Sequence, residues 1–576
     1  MDLLMEARRM PQSSLSILFP YQDRVTYTVI PDDSWHDLGM DSIVEKVAKQ
    51  PHEVPLLQRV MASLTPDPEV SAFRADVFSD LLANPEIRNQ LMTLLDRVKM
   101  FYDYGVVKRH DGDDGLWDLM HRLEEYHDYI LTVESIRACL EDVSLRSEGL
   151  LHLRQAIEAI YDSRGFAALK KDVEELRISA SGVRSITVGV NVNDRFEAVS
   201  MGLIAVNAKP FTRSNLLKHF VTAVSARDHV EPEAEWNGSM SFEPALPPSI
   251  GDQVESLAKT SLLLRNPLLG LTQAAIPRDD GSSEAPRLMD SAASQLVTRL
   301  VRRLKDVLGR YLNISVREIS DLIPEVLFYV RWAEYIESLQ SKGWRFCKPE
   351  IRSEAGKAAG MEARGFYNLK LIGAIPPAEA VPNDLSFDPE KRIYVLTGAN
   401  RGGKTTVTQA VGQLFLLAQS GISVPADSFL FTPADRVLTH FPADEDRTLD
   451  LGRLGEECRR FRDLYTQSTA LSLILLNETF STTSFEEGYY IAVDAVRAML
   501  KKNCRGIYNT HMHKLAFELD SAINTPDVPG KALSLVSESG DGHPSFRVRI
   551  APPEGKSFAH AIAEKYGVTY EDLVQS

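Results

Sequence analysis

The run Gly398-Ala399-Asn400-Arg401-Gly402-Gly403-Lys404-Thr405 meets the pattern G-x-x-x-x-G-K-[ST] without a mismatch, and its flanks leave few folds open. Before it, Arg392 to Thr397 is a short β-rich apolar run that reads as a buried strand. After it, Thr406 to Ser420 contains no proline and a single glycine, Gly412, and Gly421 stands where a helix would stop. Strand, glycine loop and helix in that order present backbone N–H groups and a helix N-terminus to a phosphate chain. Lys404 is placed to reach the β- and γ-phosphates, and Thr405 to set its hydroxyl on Mg²⁺. The expectation is a nucleoside triphosphate site.

A second apolar strand, Leu471 to Leu476, ends in Asn477-Glu478. A carboxylate just past such a strand, beside a P-loop, can orient an attacking water and take its proton, so Glu478 is the candidate base. The position before it usually carries an Asp serving Mg²⁺. Asn477 can still accept a hydrogen bond from a metal-bound water, but it brings no charge. A third strand, Gly506 to Asn509, leads into Thr510-His511, where a histidine can sense the γ-phosphate. His511 and His513 alternate along what reads as an extended segment. No cysteine or carboxylate cluster accompanies them, which argues against a metal pair.

From Val381 to the C-terminus these residues resemble the ATPase domain of the MutS DNA mismatch-repair proteins. Val381-Pro382-Asn383-Asp384 and Thr397 through Thr406 resemble the family's T-G-P-N-M-G-G-K-S-T and its lead-in. Val424-Pro425-Ala426 and Pro433 to Thr439 match its V-P-A and G-P-x-D-R-I-x-T segments. Asn477-Glu478, Thr483-Ser484 and Glu487-Gly488 lie at the spacing of its D-E-x-G-x-G-T-S-x-x-D-G signature, and Thr510-His511 matches its A-T-H. Gly555-Lys556-Ser557-Phe558, followed by Ala559 to Val568, resembles its K-S-Y-G tail. The resemblance implies ATP and Mg²⁺ as cofactors. ATP would be held by Asn383 and by Gly398, Ala399, Asn400, Arg401, Gly402, Gly403, Lys404, Thr405 and Thr406. Glu478 and His511 would be catalytic, and Asn477 would serve the metal from the second shell beside Thr405.

The departures are as specific as the matches. Asn477 replaces the family's aspartate, and Phe480 and Thr482 replace the two glycines of its signature loop, filling and stiffening it. The S-T-F-M-V-E-M stretch, whose serine is thought to reach the partner's nucleotide, corresponds to Gly452 to Cys458 and lacks the serine. The aromatic stacking position falls near Ala380. The expected enzyme is therefore a slow ATPase.

The 576 residues carry a net charge of −16, so a DNA surface would be local rather than global. Its candidate is the helix Arg299 to Arg310, where Leu296, Leu300, Leu304 and Leu308 line an apolar stripe beside a basic face. A solvated helix face is the competing reading there, and Lys170-Lys171 reads as ordinary surface. The four cysteines lack metal spacing and suit a reducing cytoplasm. Neither a signal peptide nor an apolar run of membrane-crossing length stands out. Asp111 to Gly115 hints at a calcium loop, but Arg122 holds the twelfth position, leaving a plain turn.

The expected fold is multidomain: a mainly α-helical lever and core with a small strand-containing clamp insertion, then an α/β P-loop ATPase domain of ABC type. The divisions are 1–33, an N-terminal segment; 34–178, helical core and outgoing lever; 179–291, the clamp-like insertion with an acidic Pro/Ser/Gly-rich loop from about 224; 292–345, returning lever helices; and 346–576, the ATPase. Within the lever, breaks fall at Pro66-Asp67-Pro68, Asn84-Pro85 and near Gly165; Ile186 to Val192 alternates as a strand that Ser200 to Val206 can pair. No room remains for mismatch-recognition and connector domains, nor for a nuclease extension, so a truncated relative is expected. Its function would be a homodimeric, ATP-gated DNA clamp in repair or recombination, with facing ATP sites. A ribosome-associated ATPase and a non-hydrolysing nucleotide switch with a structural role are the alternatives.

Overall fold

The computed structural model describes residues 15–21, 24–91, 116–141, 143–180, 185–192, 198–207, 274–275, 307–308, 316–352, 359–399, 402–442, 452–540, 543–553 and 573–574. Asn400 and Arg401, the turn at 111–115, the acidic loop but for 274–275, the basic helix but for 307–308, and the Gly555–Val568 tail lie outside them. The chain divides into two compact units. One holds the described residues of Met1–Asp96, Cys139–Ala156 and Ser320–Ser576, the other those of Arg97–Ala138 and Ile157–Ile319.

The first unit is built on a six-stranded sheet in the order Val437–His440, Leu473–Asn477, Arg505–Asn509, Lys391–Thr397, Lys531–Gly540, His543–Ile550. The first five strands run parallel, and the last closes an antiparallel hairpin. The second and third strands are buried along their length and the fourth along all but its first residue, as strands covered on both faces are. Their C-terminal ends fall together, with Asn477 opposite Asn509 and Asn509 opposite Leu396. Loops leaving that edge carry the candidate site, the usual place for a ligand in an open parallel sheet.

The helix that follows the glycine loop, Lys404–Gln419, is buried on nearly every side. Such a helix must satisfy its polar side chains internally. Gln413 Nε2 donates to Leu38 O at 2.9 Å, and its Oε1 accepts from Leu369 N at 3.0 Å. Gln419 Nε2 donates to Thr65 O and Ala434 O at 3.0 and 2.8 Å. Gly412, the one glycine in the run, is required by close approach: a Cβ there would sit 2.4 Å from Leu38 Cδ2. The helix Pro68–Ala83 packs on the P-loop helix, Asp32–Asp37 packs on the strand Val437–His440, and both share its unit. A smaller sheet, in the order Glu350–Ile351, Ser428–Phe431, Met361–Phe366, Asn383–Phe387, lies in the same unit.

A buried cluster braces the far end of that helix. Glu325, on the helix Val316–Gln340, accepts from Ser16 Oγ at 2.8 Å, Ile17 N at 2.7 Å and Leu18 N at 3.0 Å. Arg74 donates to Leu18 O at 2.6 Å and Gln419 O at 2.9 Å, beneath the rings of Phe19 and Tyr27. Removing either charged group would leave buried partners unpaired.

In the second unit the helix Arg164–Ala180 returns Phe166 against Tyr129 and Lys170 onto Glu134. The break near Gly165 falls at Asp162 and Ser163, where Ser163 Oγ accepts from Phe166 N at 3.1 Å as a cap. Ser185–Val192 and Ala198–Asn207 pair antiparallel, as their alternation predicts. No described helix is long and apolar enough to cross a membrane.

Candidate nucleotide-binding site

Two glycines shape the loop. Gly398 has φ +136° and Gly403 φ +81°, both in the region that side chains disfavour. The first also lies against the next strand: a Cβ on Gly398 would be 2.9 Å from Ser537 Cβ, and Ser537 Oγ donates to Gly402 O at 2.6 Å. Lys404 opens the helix and is buried, its Nζ donating to Gly398 O and Ala399 O at 3.0 and 3.1 Å. Burial lowers its pKa and the Glu478 carboxylate opposes that shift. An ammonium held by two neutral carbonyls is the group an incoming phosphate would draw away. The carbonyl of Thr406 accepts from Asn368 Nδ2 at 2.8 Å, fixing the first helical turn.

Facing the loop, Asn477, Asn509 and Thr405 form a polar triangle. Thr405 Oγ1 donates to Asn477 Oδ1 at 3.1 Å. Asn509 Nδ2 donates to that same Asn477 oxygen and lies 3.4 Å from Thr405 Oγ1. The fit to a divalent cation is poor: one hydroxyl and two amides carry no negative charge, and the Asn477 oxygen already accepts from both Thr405 and Asn509.

Glu478 and His511 meet beside this triangle. Glu478 has φ +51°, which turns its side chain back so that Oε1 lies 3.0 Å from His511 Nε2 while Oε2 accepts from His511 N at 3.2 Å. Burial raises the Glu478 pKa and lowers that of His511. Both shifts disfavour the charged form of each partner. His513 does not continue an extended segment; it starts the short helix His513–Phe517.

The signature loop is closed by side chains. Phe480 keeps φ +64°, a glycine-like conformation, yet its ring is 1% exposed and packs edge-on against Phe461. Thr482 Oγ1 donates to Glu457 Oε2 at 3.0 Å. Thr479 Oγ1 lies 3.1 Å from His440 Nδ1, and His440 Nε2 lies 3.3 Å from Glu457 O. The loop is thus fastened to the helix Gly452–Gln467, the segment in which the sequence lacks the expected serine.

Family models cover both units of this chain: MutS domain V matches residues 394–568 and the MutS2 N-terminal domain matches residues 66–342. The chain belongs to the MutS family. It is similar to "Endonuclease MutS2" of Thermus thermophilus, 30% identical over 34% of this chain and 25% of that protein. It is also similar to "DNA mismatch repair protein MutS" of Symbiobacterium thermophilum, 24% identical over 81% of this chain and 50% of that one. "DNA mismatch repair protein MSH6" of Saccharomyces cerevisiae is 24% identical over 50% of this chain and 23% of its own length. The chain therefore spans half or less of the length of each of these relatives.

Of the residues assigned to the site from sequence, Gly398, Ala399, Gly402, Gly403, Lys404, Thr405, Asn477, Glu478 and His511 come together at one edge of the sheet. Asn400 and Arg401 lie outside the described residues. Asn383 serves backbone instead: Nδ2 donates to Phe546 O at 3.1 Å, and Oδ1 accepts from Val548 N at 2.8 Å. It thereby holds Phe546, at φ +59° and 47% exposed, beside the loop, 3.3 Å from where a Gly403 Cβ would be. Phe546, Asn509 and Ser537 were missed in the MutS-like motifs. Asn509 could have been found as a polar residue ending a core strand, but Phe546 depends on a hairpin register that sequence does not fix.

Proposed function

We propose that this MutS-family chain is an ATP-binding, DNA-binding protein that works as a homodimeric clamp gated by ATP, with the two nucleotide sites facing each other. The observation that carries the nucleotide reading is the P-loop lysine and the Glu478–His511 pair at one edge of a parallel sheet. In this reading the loop amides and Lys404 hold the phosphates, and Phe546 offers its exposed face to the base. Glu478, freed from His511, accepts the proton of the attacking water. No step is assigned to a metal. The lever-and-clamp division 34–178, 179–291 and 292–345 belongs to the same proposal. It is supported by helices Glu148–Tyr161 and Arg164–Ala180, then the hairpin, then the returning helix Val316–Gln340. DNA as partner is supported by the names of the mismatch-repair relatives.

A second reading is favoured by particular residues. Asn477 and the closed loop at Phe480 suit a nucleotide switch that turns over slowly. ATP turnover measured alone, with duplex, branched and mismatched DNA, and with ribosomes separates the readings. The clamp requires that ATP change DNA affinity and DNA change ATP affinity by the same factor, with steep weakening by salt. A chain that binds no DNA at low salt, with or without a non-hydrolysable ATP analogue, is not a clamp.

A further inference from the structure

The triangle of Thr405, Asn477 and Asn509 is unusual in what it offers a phosphate-bound ion. Asn477 and Asn509 end adjacent parallel strands in register and are 8% and 1% exposed. The Asn509 NH₂ group donates to Asn477 Oδ1 and lies 3.4 Å from Thr405 Oγ1, while Thr405 Oγ1 itself donates to Asn477 Oδ1, so the Asn477 oxygen is committed to two protein donors. Its own Oδ1 is buried with no hydrogen-bond partner. Exchanging the nitrogen and oxygen of this amide would set two carbonyl oxygens against each other at Asn477, so the network assigns the nitrogen to the side facing Asn477 and Thr405. The carboxylate that follows Asn477, Glu478, is engaged by both the ring and the backbone of His511. Among the described residues no group of three or more His, Cys, Asp or Glu is arranged to hold a metal ion.

We propose that this site holds a nucleoside triphosphate with little dependence on a divalent cation, the Asn477 oxygen being committed to Thr405 and Asn509. The inference rests on the nucleotide reading above. Magnesium is dehydrated reluctantly and is retained in proteins by carboxylates together with substrate phosphates. With an amide as the last strand residue and the following carboxylate, Glu478, engaged by His511, the ion would gain little beyond what the phosphates already give it in solution. The phosphate charge would instead be met by Lys404 and the loop amides, which need no metal.

The test is equilibrium binding of a fluorescent ATP analogue to the full chain, in excess magnesium and in excess EDTA. The wild-type affinity should differ by less than about threefold between the two conditions. Asn477→Asp should introduce a magnesium dependence of about tenfold or more, because it adds a charge where the amide now accepts. Wild-type binding that falls about tenfold or more in EDTA overturns the inference while leaving the nucleotide site intact. An Asn477→Asp variant that stays indifferent to magnesium overturns the assignment to this triangle. Absence of binding in both conditions removes the nucleotide site itself, and this inference with it.

Discussion

The loop that faces the phosphates and the strand ends that face the loop are made of opposite materials. In the loop, glycines at φ +136° and +81° leave the backbone bare, and the cation that matters hangs on two carbonyls it can release. Across from it, side chains fill every position: two amides on Thr405, a glutamate folded onto a histidine, and an aromatic ring where a bare backbone would suffice. One half is built to accept a ligand. The other has been closed by its own contacts, so binding and turnover are expected to respond separately to mutation.

The largest effect should come from the strand-end half, on turnover. Glu478→Gln preserves shape and the bond from His511 N but removes the proton acceptor. ATP should bind as before while hydrolysis falls by about two to four orders of magnitude. If the variant hydrolyses ATP at the parental rate, the strand-end half has no catalytic role and the contrast sharpens into binding alone. Lys404→Ala should do the converse. Among the described residues its ammonium donates to Gly398 O and Ala399 O, so the fold should survive while triphosphate affinity drops by about a hundredfold or more. Unchanged affinity in a folded variant, measured by calorimetry, would sink the loop half of the comparison.

How this division was legible depends on the kind of residue. The strand Arg392–Thr397, the helix stop at Gly421 and the carboxylate after Leu476 were readable because each rests on local pattern: an apolar run, a glycine, a polar residue at a strand end. The packing of Leu38 on Gly412, and of Asp32–Asp37 on the sheet, joins residues far apart in sequence. No local period reports such contacts. Phe480 was readable only as a departure, since sequence tells that a glycine is missing but not where the ring goes. The ring enters the core while the backbone keeps a left-handed turn, an outcome of tertiary packing that no local pattern reports.

Phe480 therefore gives the most direct way to open the closed half. Phe480→Gly relieves a left-handed residue, worth about 1–2 kcal/mol, but deletes a buried ring whose loss costs about 3–5 kcal/mol. The net expected is destabilisation of about 2–3 kcal/mol by denaturant titration, with a faster turnover if the ring restrains the loop. Phe480→Leu keeps the apolar contact and the strained turn, and should change turnover little. Stability equal to wild type in the glycine variant would mean that the ring does not hold the loop. A smaller effect belongs to the open half: Phe546→Ala should weaken ATP by about tenfold, the scale of one base stacked on an aromatic face, and leave inorganic triphosphate binding unchanged. Equal weakening of both ligands would show that Phe546 shapes the loop rather than touching a base.

The smallest effect is set by pH and bears on what the closed half is built upon. His440 lies under the signature loop, and burial, with Arg460 adding to it, lowers its pKa from 6.5 to about 4. Its Nε2 faces Glu457 O and its Nδ1 faces the Thr479 hydroxyl, an arrangement that suits the neutral ring. A histidine depressed in the folded state takes its proton more readily when unfolded. The unfolded chain therefore binds more protons between pH 6.5 and about 4, and stability falls as pH falls through that window. Moving from pH 7 to pH 5.5 should remove roughly 1 kcal/mol through this group alone. His440→Gln keeps polar atoms under Thr479 and should flatten that slope in denaturant titrations at the two pH values, while the open half keeps its ATP affinity at both. A variant with the parental slope would place the acid sensitivity elsewhere and leave the loop resting on Phe480 and Thr482.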